Sequence, residues 1–155
     1  MHILIATDAQ WVLNEIQAVF GSSSTTIQVV TNGRLVSPAV AQRTPDIAIL
    51  DMQVGSMGGM AITMDRRLDY SSGALPNVPI LMLLDREADV HMARRSGANG
   101  WIIKPLDALR LRKAVNAIAA GGCYAEGVPV PEEIVEEVIA SADDVAEPAA
   151  ELLNQ

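Results

Sequence analysis

Short aliphatic runs alternate along the chain with longer stretches of helical periodicity. The runs lie at His2–Ala6, Thr26–Val30, Ile47–Leu50, Val78–Leu84 and Gly100–Ile103, and each is predicted to form a strand. No polar residue alternates with the apolar ones in Ile47–Leu50, so both faces of this strand are expected to be buried. Burial on both faces is typical of a central strand in a parallel sheet that helices cover on each side.

The stretches between the runs carry apolar residues at intervals of three and four, which predicts helices. The first is marked by Val12, Ile16, Val19 and Phe20, and the others are predicted at about Arg34–Gln42, Met57–Leu68, Arg86–Ser96 and Asp107–Ala120. In the third helix, the stripe of Met57, Met60, Met64 and Leu68 is interpreted as core packing, because methionine often fills gaps in cores. The repeated alternation of strand and helix predicts an α/β protein with a doubly wound, five-stranded parallel sheet.

Charge divides the chain into two parts. Of the 155 residues, with a net charge of −8, all eleven Lys and Arg lie in residues 1–120, whereas residues 121–155 contain acids and no Lys or Arg. We therefore predict one domain over 1–120 and an acidic tail over 121–155. Apolar residues at Ile134, Val135, Val138 and Ile139 predict one short amphipathic helix near 131–140. The nearly neutral domain gives no argument for general nucleic-acid binding.

Several classes of protein are disfavoured by composition. No apolar run approaches the roughly 18 residues of a membrane span, and the N-terminus has no basic flank of a signal peptide. Cys123 is the single cysteine, which excludes a disulfide framework and a cysteine metal cluster. His2 and His91 are not spaced as a metal pair. A cytoplasmic protein without a membrane span is therefore expected.

Ionisable residues follow three of the predicted strands. Asp8 follows the first strand, Asp51 the third and Lys104 the fifth. The carboxyl ends of parallel strands lie at one edge of the sheet, so two carboxylates and one ammonium are expected in one cleft. Mg²⁺ suits such a site, because it binds through one or two carboxylates and keeps several waters. Asp51 is then a candidate nucleophile that forms an acyl phosphate, and Lys104 would neutralise phosphoryl oxygens.

With these residues at the strand ends, the chain resembles the receiver domain of bacterial response regulators across residues 1 to about 120. The resemblance rests on Asp8 after HILIA, Asp51 after DIAIL, Met57 and Gly59 in the next loop, and Lys104-Pro105 after GANGWII. It is closest to an atypical, orphan receiver of the actinobacterial type. It implies a flavodoxin-like, CheY-like fold, a phosphoacceptor role for Asp51, and Mg²⁺ held by Asp8, Asp51 and the backbone carbonyl of Gln53. It also implies that Lys104 contacts the phosphoryl group.

The chain departs from the family pattern at positions that matter for signalling. Thr7 replaces a second acid, which weakens the hold on Mg²⁺. Leu84 replaces the Ser or Thr that binds the phosphoryl oxygen, and Trp101 occupies the aromatic switch position where Tyr or Phe is usual. A hydrogen bond to a charged group is worth about 1.5–3 kcal/mol. Since a typical allosteric coupling is about 1–3 kcal/mol, the missing bond at Leu84 is as large as the usual signal.

Three functions remain open from the sequence. The first is an atypical receiver that acts by protein–protein interaction, with weak or absent phosphorylation switching at Asp51. The second is a conventional Mg²⁺-dependent aspartyl-phosphate shuttle or sink, and the third is a flavodoxin-like small-molecule binder. The chain is not expected to be an enzyme, apart from self-catalysed phosphoryl transfer onto Asp51. The expected partner is a histidine kinase or another signalling protein, and no DNA-binding output domain is expected in this chain. A homodimer would form through the last two helices of the receiver.

Overall fold

The computed structural model describes residues 1–127, and within that range five parallel strands and five α-helices alternate along the chain. The strands are β1 His2–Ala6, β2 Thr26–Val30, β3 Ile47–Asp51, β4 Ile80–Leu84 and β5 Gly100–Ile103. The helices are α1 Gln10–Phe20, α2 Val36–Gln42, α3 Gly59–Ser71, α4 Val90–Ser96 and α5 Ala108–Ala119. The sheet order β2-β1-β3-β4-β5 confirms the doubly wound fold. No helix in the described range is long and apolar enough to cross a membrane.

The central strands are buried from end to end. Every residue of β1, β3 and β4 is buried, whereas the edge strand β2 is mostly half-buried. One apolar cluster, which includes Ile49 and Leu83, packs against α1 and α5, and another, which includes Leu50, packs against α2 and α3. Asp51 pairs with Leu83 and Leu84 with Ile103, so these strands end within one residue of the same level. The ends of β3, β4 and β5 therefore form one edge.

Several predicted boundaries shift because of local chemistry. The helix predicted from Arg34 begins as a 3₁₀ turn at Gly33–Leu35, and Pro38 lies in the first turn of α2, where a missing N–H is tolerated. The helix predicted from Arg86 likewise begins with a 3₁₀ turn at Glu87–Asp89. β4 begins two residues later than predicted, at Ile80, after Pro79. Asp107 is the N-cap of α5, and its side chain accepts from the Arg110 amide at 2.9 Å.

The interpretation of the methionine stripe as core packing is wrong for its outer members. Met64 and Leu68 are 48% and 66% exposed. The buried face of α3 consists instead of Gly59, Ile62, Thr63 and Arg66. Thr63 can lie inside because its hydroxyl donates to the Gly59 carbonyl at 2.8 Å. The buried face of α3 is therefore rotated about the helix axis relative to the face predicted from the methionine stripe.

The chain continues past α5 as a short strap, residues 123–127, that lies along β5. Tyr124 bridges to Gly100, and the Trp101 amide donates to the Tyr124 carbonyl at 2.9 Å. A side chain at Gly100 would place its Cβ 2.4 Å from that carbonyl oxygen, so this close approach requires glycine. The strap extends beyond the boundary predicted at residue 120. The helix predicted near 131–140 lies outside the described residues.

Candidate functional site

Asp51 is the last residue of β3, and its carboxylate is 2% exposed. Its Oδ1 accepts from the Lys104 ammonium at 2.8 Å and from the Gln53 amide at 3.1 Å. Its Oδ2 accepts from the Thr7 hydroxyl at 2.9 Å. A buried carboxylate is tolerated when it is paired and hydrogen-bonded, and all three of these partners satisfy that requirement. The structure thus brings together Asp51 and Lys104, which are 53 residues apart in the sequence.

Lys104 lies immediately after β5 and contacts two carboxylates. Besides Asp51, its Nζ donates to Oδ1 of Asp85 at 3.1 Å. The Lys104 side chain is 10% exposed, and its Nζ lies 5.6 Å from the centroid of the Trp11 ring. The Lys104–Pro105 peptide bond is cis. Trp11, which is half exposed, therefore forms one wall of the cleft beside the ammonium.

Thr7 and Asp8 join the first strand to the same cleft. The buried Thr7 hydroxyl donates to Asp51 and accepts from the Ala9 amide at 3.1 Å, so it orders the start of α1 as well. Asp8 is exposed, and its Oδ2 accepts from the Gly55 amide at 3.2 Å. A Cβ on Gly55 would lie 3.2 Å from that oxygen, so glycine allows the loop after β3 to approach Asp8.

The donor set suits Mg²⁺ as a sparsely liganded ion. Asp8, Asp51 and the Gln53 carbonyl would supply hard oxygen atoms, the ligands that Mg²⁺ prefers, and waters would complete its shell. Within residues 1–127, no three His, Cys, Asp or Glu side chains are grouped so that they could hold a metal. Thr7, where a third carboxylate would stand, directs its hydroxyl to Asp51. The residues present therefore fit an Mg²⁺ ion that would be bound by two carboxylates and one carbonyl, with water in its other coordination positions.

The two positions that were predicted to have lost switching chemistry lie in one apolar cluster. Leu84 is fully buried at the end of β4 and shares this cluster with Met82, Ala93 and Trp101. Trp101 is 7% exposed, and its indole Nε1 donates to the backbone carbonyl of Glu126 at 2.6 Å. Arg94 covers the ring face, with its guanidinium carbon 5.8 Å from the centroid. Trp101 is thus fixed both by packing and by the strap.

Glu126 holds the strap in place through its side chain. Its Oε1 accepts from Arg110 Nε at 2.7 Å and from the Tyr124 hydroxyl at 3.0 Å, while Oε2 accepts from the Ile103 amide at 3.1 Å and from a second Arg110 nitrogen. Burial by itself would raise the pKa of Glu126, but the hydrogen bonds from Arg110, Ile103 and Tyr124 outweigh it and lower that pKa. The same ion pair raises the pKa of Arg110.

Sequence reasoning missed two of these residues. Asp85 directly follows β4, so the criterion that selected Asp8, Asp51 and Lys104, an ionisable residue after a strand, would also have selected it. Glu126 had no comparable signal, because its importance depends on the path of the strap beside β5. The structure places Asp51, Lys104, Asp85 and Thr7 in direct contact and connects Asp8 to them through the loop after β3.

Known proteins resemble this chain in sequence and fold. Protein PilH of Pseudomonas aeruginosa is 28% identical over 120 residues, which cover 77% of this chain and 98% of PilH. The transcriptional regulatory protein DegU of Brevibacillus brevis is 32% identical over 87 residues, which cover 55% of this chain and 35% of DegU. The chain thus spans nearly all of PilH but about a third of DegU.

A solved structure and a family model complete the comparison. The receiver domain of a sensor histidine kinase from Pseudomonas aeruginosa, with a magnesium ion coordinated in its active-site cleft, aligns with a TM-score of 0.66 at 20% identity. The alignment covers 77% of this chain and 97% of that chain, and it shows a shared fold. The model of the response regulator receiver domain matches residues 3–116. The chain therefore belongs to the response regulator receiver family of two-component signalling.

Proposed function

We propose that this receiver accepts a phosphoryl group on Asp51 slowly or weakly, and that it signals mainly through a fixed protein-binding surface. Receiver domains of this family interact with kinases or other signalling proteins, and the proposed partner here is a histidine kinase or a similar protein. The observation that carries the proposal is the buried Asp51 carboxylate held between the Lys104 ammonium and the Thr7 hydroxyl at the carboxyl edge of the sheet. Family membership favours this function over a flavodoxin-like binder.

The acceptor chemistry assigned to Asp51 is nucleophilic. One carboxylate oxygen attacks phosphorus, a new P–O bond forms, and the P–O bond to the leaving group breaks with its electron pair. No proton transfer is needed when the donor is an acyl phosphate such as acetyl phosphate. Lys104 then neutralises charge on the transferred group, and Asp8, Asp51 and the Gln53 carbonyl would hold Mg²⁺, whose role is to neutralise phosphoryl oxygens.

Weak switching is supported by the surroundings of Leu84 and Trp101. Leu84 has no donor for a phosphoryl oxygen, a loss of about 1.5–3 kcal/mol. Rotation of Trp101 would break its bond to the Glu126 carbonyl, which costs about a further 0.5–1.5 kcal/mol. A typical coupling between sites is about 1–3 kcal/mol, so both effects together are large enough to suppress it.

Phosphorylation is tested by incubating the protein with acetyl phosphate and Mg²⁺ and recording intact mass. We expect slow addition of one phosphoryl group, and no addition to the Asp51→Asn variant. Thr7→Asp is expected to increase the affinity for Mg²⁺, because it adds a carboxylate, whereas Thr7→Val removes the same hydroxyl without adding charge. A phosphoryl adduct that persists in Asp51→Asn would contradict the assignment of Asp51.

Switching is tested separately from phosphorylation. In a Trp11→Phe background the fluorescence reports on Trp101, since the chain has two tryptophans. We expect little spectral change on addition of Mg²⁺ and beryllofluoride, a mimic of the phosphoryl group. A large shift of the Trp101 emission that is absent from Asp51→Asn would refute weak switching and favour a conventional switch. A rapidly formed adduct that transfers to a histidine-bearing partner would instead favour the shuttle.

Binding of the partner is tested by comparing wild type with Asp51→Asn, and the predicted homodimer is tested by measuring the oligomeric state. Capture of a histidine kinase by wild type and by Asp51→Asn to the same extent is expected if a fixed surface binds the partner. The predicted homodimer would use α4 and α5, where Arg94, Arg95, Arg112 and Lys113 lie. Analytical ultracentrifugation before and after addition of beryllofluoride measures that state.

A further inference from the structure

Asp85 is an acidic residue of the cleft, and its carboxylate contacts the same lysine as the carboxylate of the phosphoacceptor. It follows the last residue of β4, and its carboxylate is 38% exposed. Its Oδ1 lies 3.1 Å from Lys104 Nζ, against 2.8 Å for Oδ1 of Asp51. One ammonium, largely buried at 10% exposure, is therefore shared between two carboxylates.

Sharing of the Lys104 ammonium affects both the net charge of the cleft and the orientation of the lysine side chain. Lys104 has three N–H donors, and Asp51 and Asp85 each take one in the resting protein. Asp8, Asp51 and Asp85 bring three negative charges to this edge of the sheet, and the charge of Lys104 is divided between two of them. A phosphate donor is itself an anion, and like charges that approach each other raise the energy of the complex.

We propose that Asp85 is a positioning residue that restrains Lys104 and slows phosphorylation of Asp51. The inference rests on the proposed phosphoacceptor function. In the resting state, Asp85 competes for the ammonium that the incoming phosphoryl oxygens require. When the P–O bond to Asp51 forms and the leaving group departs with its electron pair, Lys104 must turn toward the new phosphoryl oxygens against the attraction of Asp85.

The experiment compares initial phosphorylation rates of the full chain with acetyl phosphate and Mg²⁺. Asp85→Asn keeps the size of the side chain and removes its charge, and we expect a rate about threefold to tenfold higher at low ionic strength. Asp85→Glu keeps the charge and is expected to stay near the wild-type rate. Glu87→Gln is the matched control, because it removes one exposed charge from the 3₁₀ turn Glu87–Asp89 that follows Asp85, and the Glu87 side chain forms no hydrogen bond or ion pair within residues 1–127.

Salt dependence separates an electrostatic role from a structural one. At high salt the gain of Asp85→Asn over wild type should shrink toward onefold, because a half-exposed charge is screened. A gain that is independent of salt, or equal in Glu87→Gln, would overturn the role of Asp85. Equal rates for wild type and Asp85→Asn at low salt would do the same while leaving Asp51 as the acceptor. Absence of an adduct from every variant would overturn the proposed function and this inference with it.

A second readout needs neither metal nor phosphate donor. In the metal-free protein, the NMR signals of the Lys104 Cε methylene, assigned with Lys104→Arg, report on the partners of the ammonium. We expect Asp85→Asn to shift these signals and Glu87→Gln to leave them in place. Unchanged signals in Asp85→Asn would show that Lys104 is not shared in solution, and would overturn the inference independently of phosphorylation.

Discussion

The strap over β5 can be tested by removing the side chain that holds it, with Glu126→Ala. The substitution deletes hydrogen bonds from Arg110, the Tyr124 hydroxyl and the Ile103 amide. Hydrogen bonds to charged groups are worth about 1.5–3 kcal/mol. The Glu126 and Arg110 side chains are 16% and 32% exposed, so solvent screens part of that interaction. We expect a loss of about 2 kcal/mol in the free energy of unfolding at pH 7.

The assay is urea unfolding followed by circular dichroism, with a double-mutant cycle of Glu126→Ala and Arg110→Ala. We expect a coupling energy of at least about 1 kcal/mol between the two residues, because each singly removes the same ion pair. Trp101 emission in the Trp11→Phe background should shift to longer wavelength, because the strap without its side-chain anchor detaches and the backbone carbonyl of residue 126 leaves the indole. The strap argument is refuted if Glu126→Ala changes stability by less than about 0.5 kcal/mol, the range of an ordinary surface substitution.

Three further perturbations address the strap and the switch. Because the folded pKa of Glu126 is lowered, its stabilisation is present above its unfolded pKa of about 4.3 and is lost as pH falls through the folded value. Acid unfolding of wild type should therefore be steeper below that pH than that of Glu126→Ala. Gly100→Ala places a Cβ 2.4 Å from the Tyr124 carbonyl oxygen, which accepts the hydrogen bond from the Trp101 amide. Hydrogen exchange of the Trp101 amide should therefore accelerate. An unchanged exchange rate would show that the strap shifts without losing this hydrogen bond. Leu84→Thr should give a larger beryllofluoride-dependent change in Trp101 emission than Leu84→Val, which has the same shape without the hydroxyl; equal changes would exclude a role for that hydroxyl.

The charged residues at the carboxyl edge of the sheet can be predicted from the pattern of apolar and polar positions in the sequence. A buried strand that ends in a charged residue is visible in the sequence, and parallel strands bring such ends together, so the sequence alone identifies Asp8, Asp51 and Lys104. The same rule also applies to Asp85, which directly follows β4. The central strands β1 and β3 were predicted well because a run buried on both faces consists almost wholly of apolar residues, which leaves a strong signal.

The fold class, the order of strands and helices, and the acids and lysine that meet at the carboxyl edge are all readable from the sequence alone, because they depend on local periodicity and on parallel topology. The folded molecule alone shows how the charges are shared, which face of α3 is buried, and how residues 123–127 close over Trp101. Those features depend on distances of a few ångströms between segments far apart in the chain, such as Glu126 and Arg110 or Asp85 and Lys104. Hydrophobic periodicity carries no record of such contacts, because a charged residue that pairs across the fold looks the same in sequence as one that faces water.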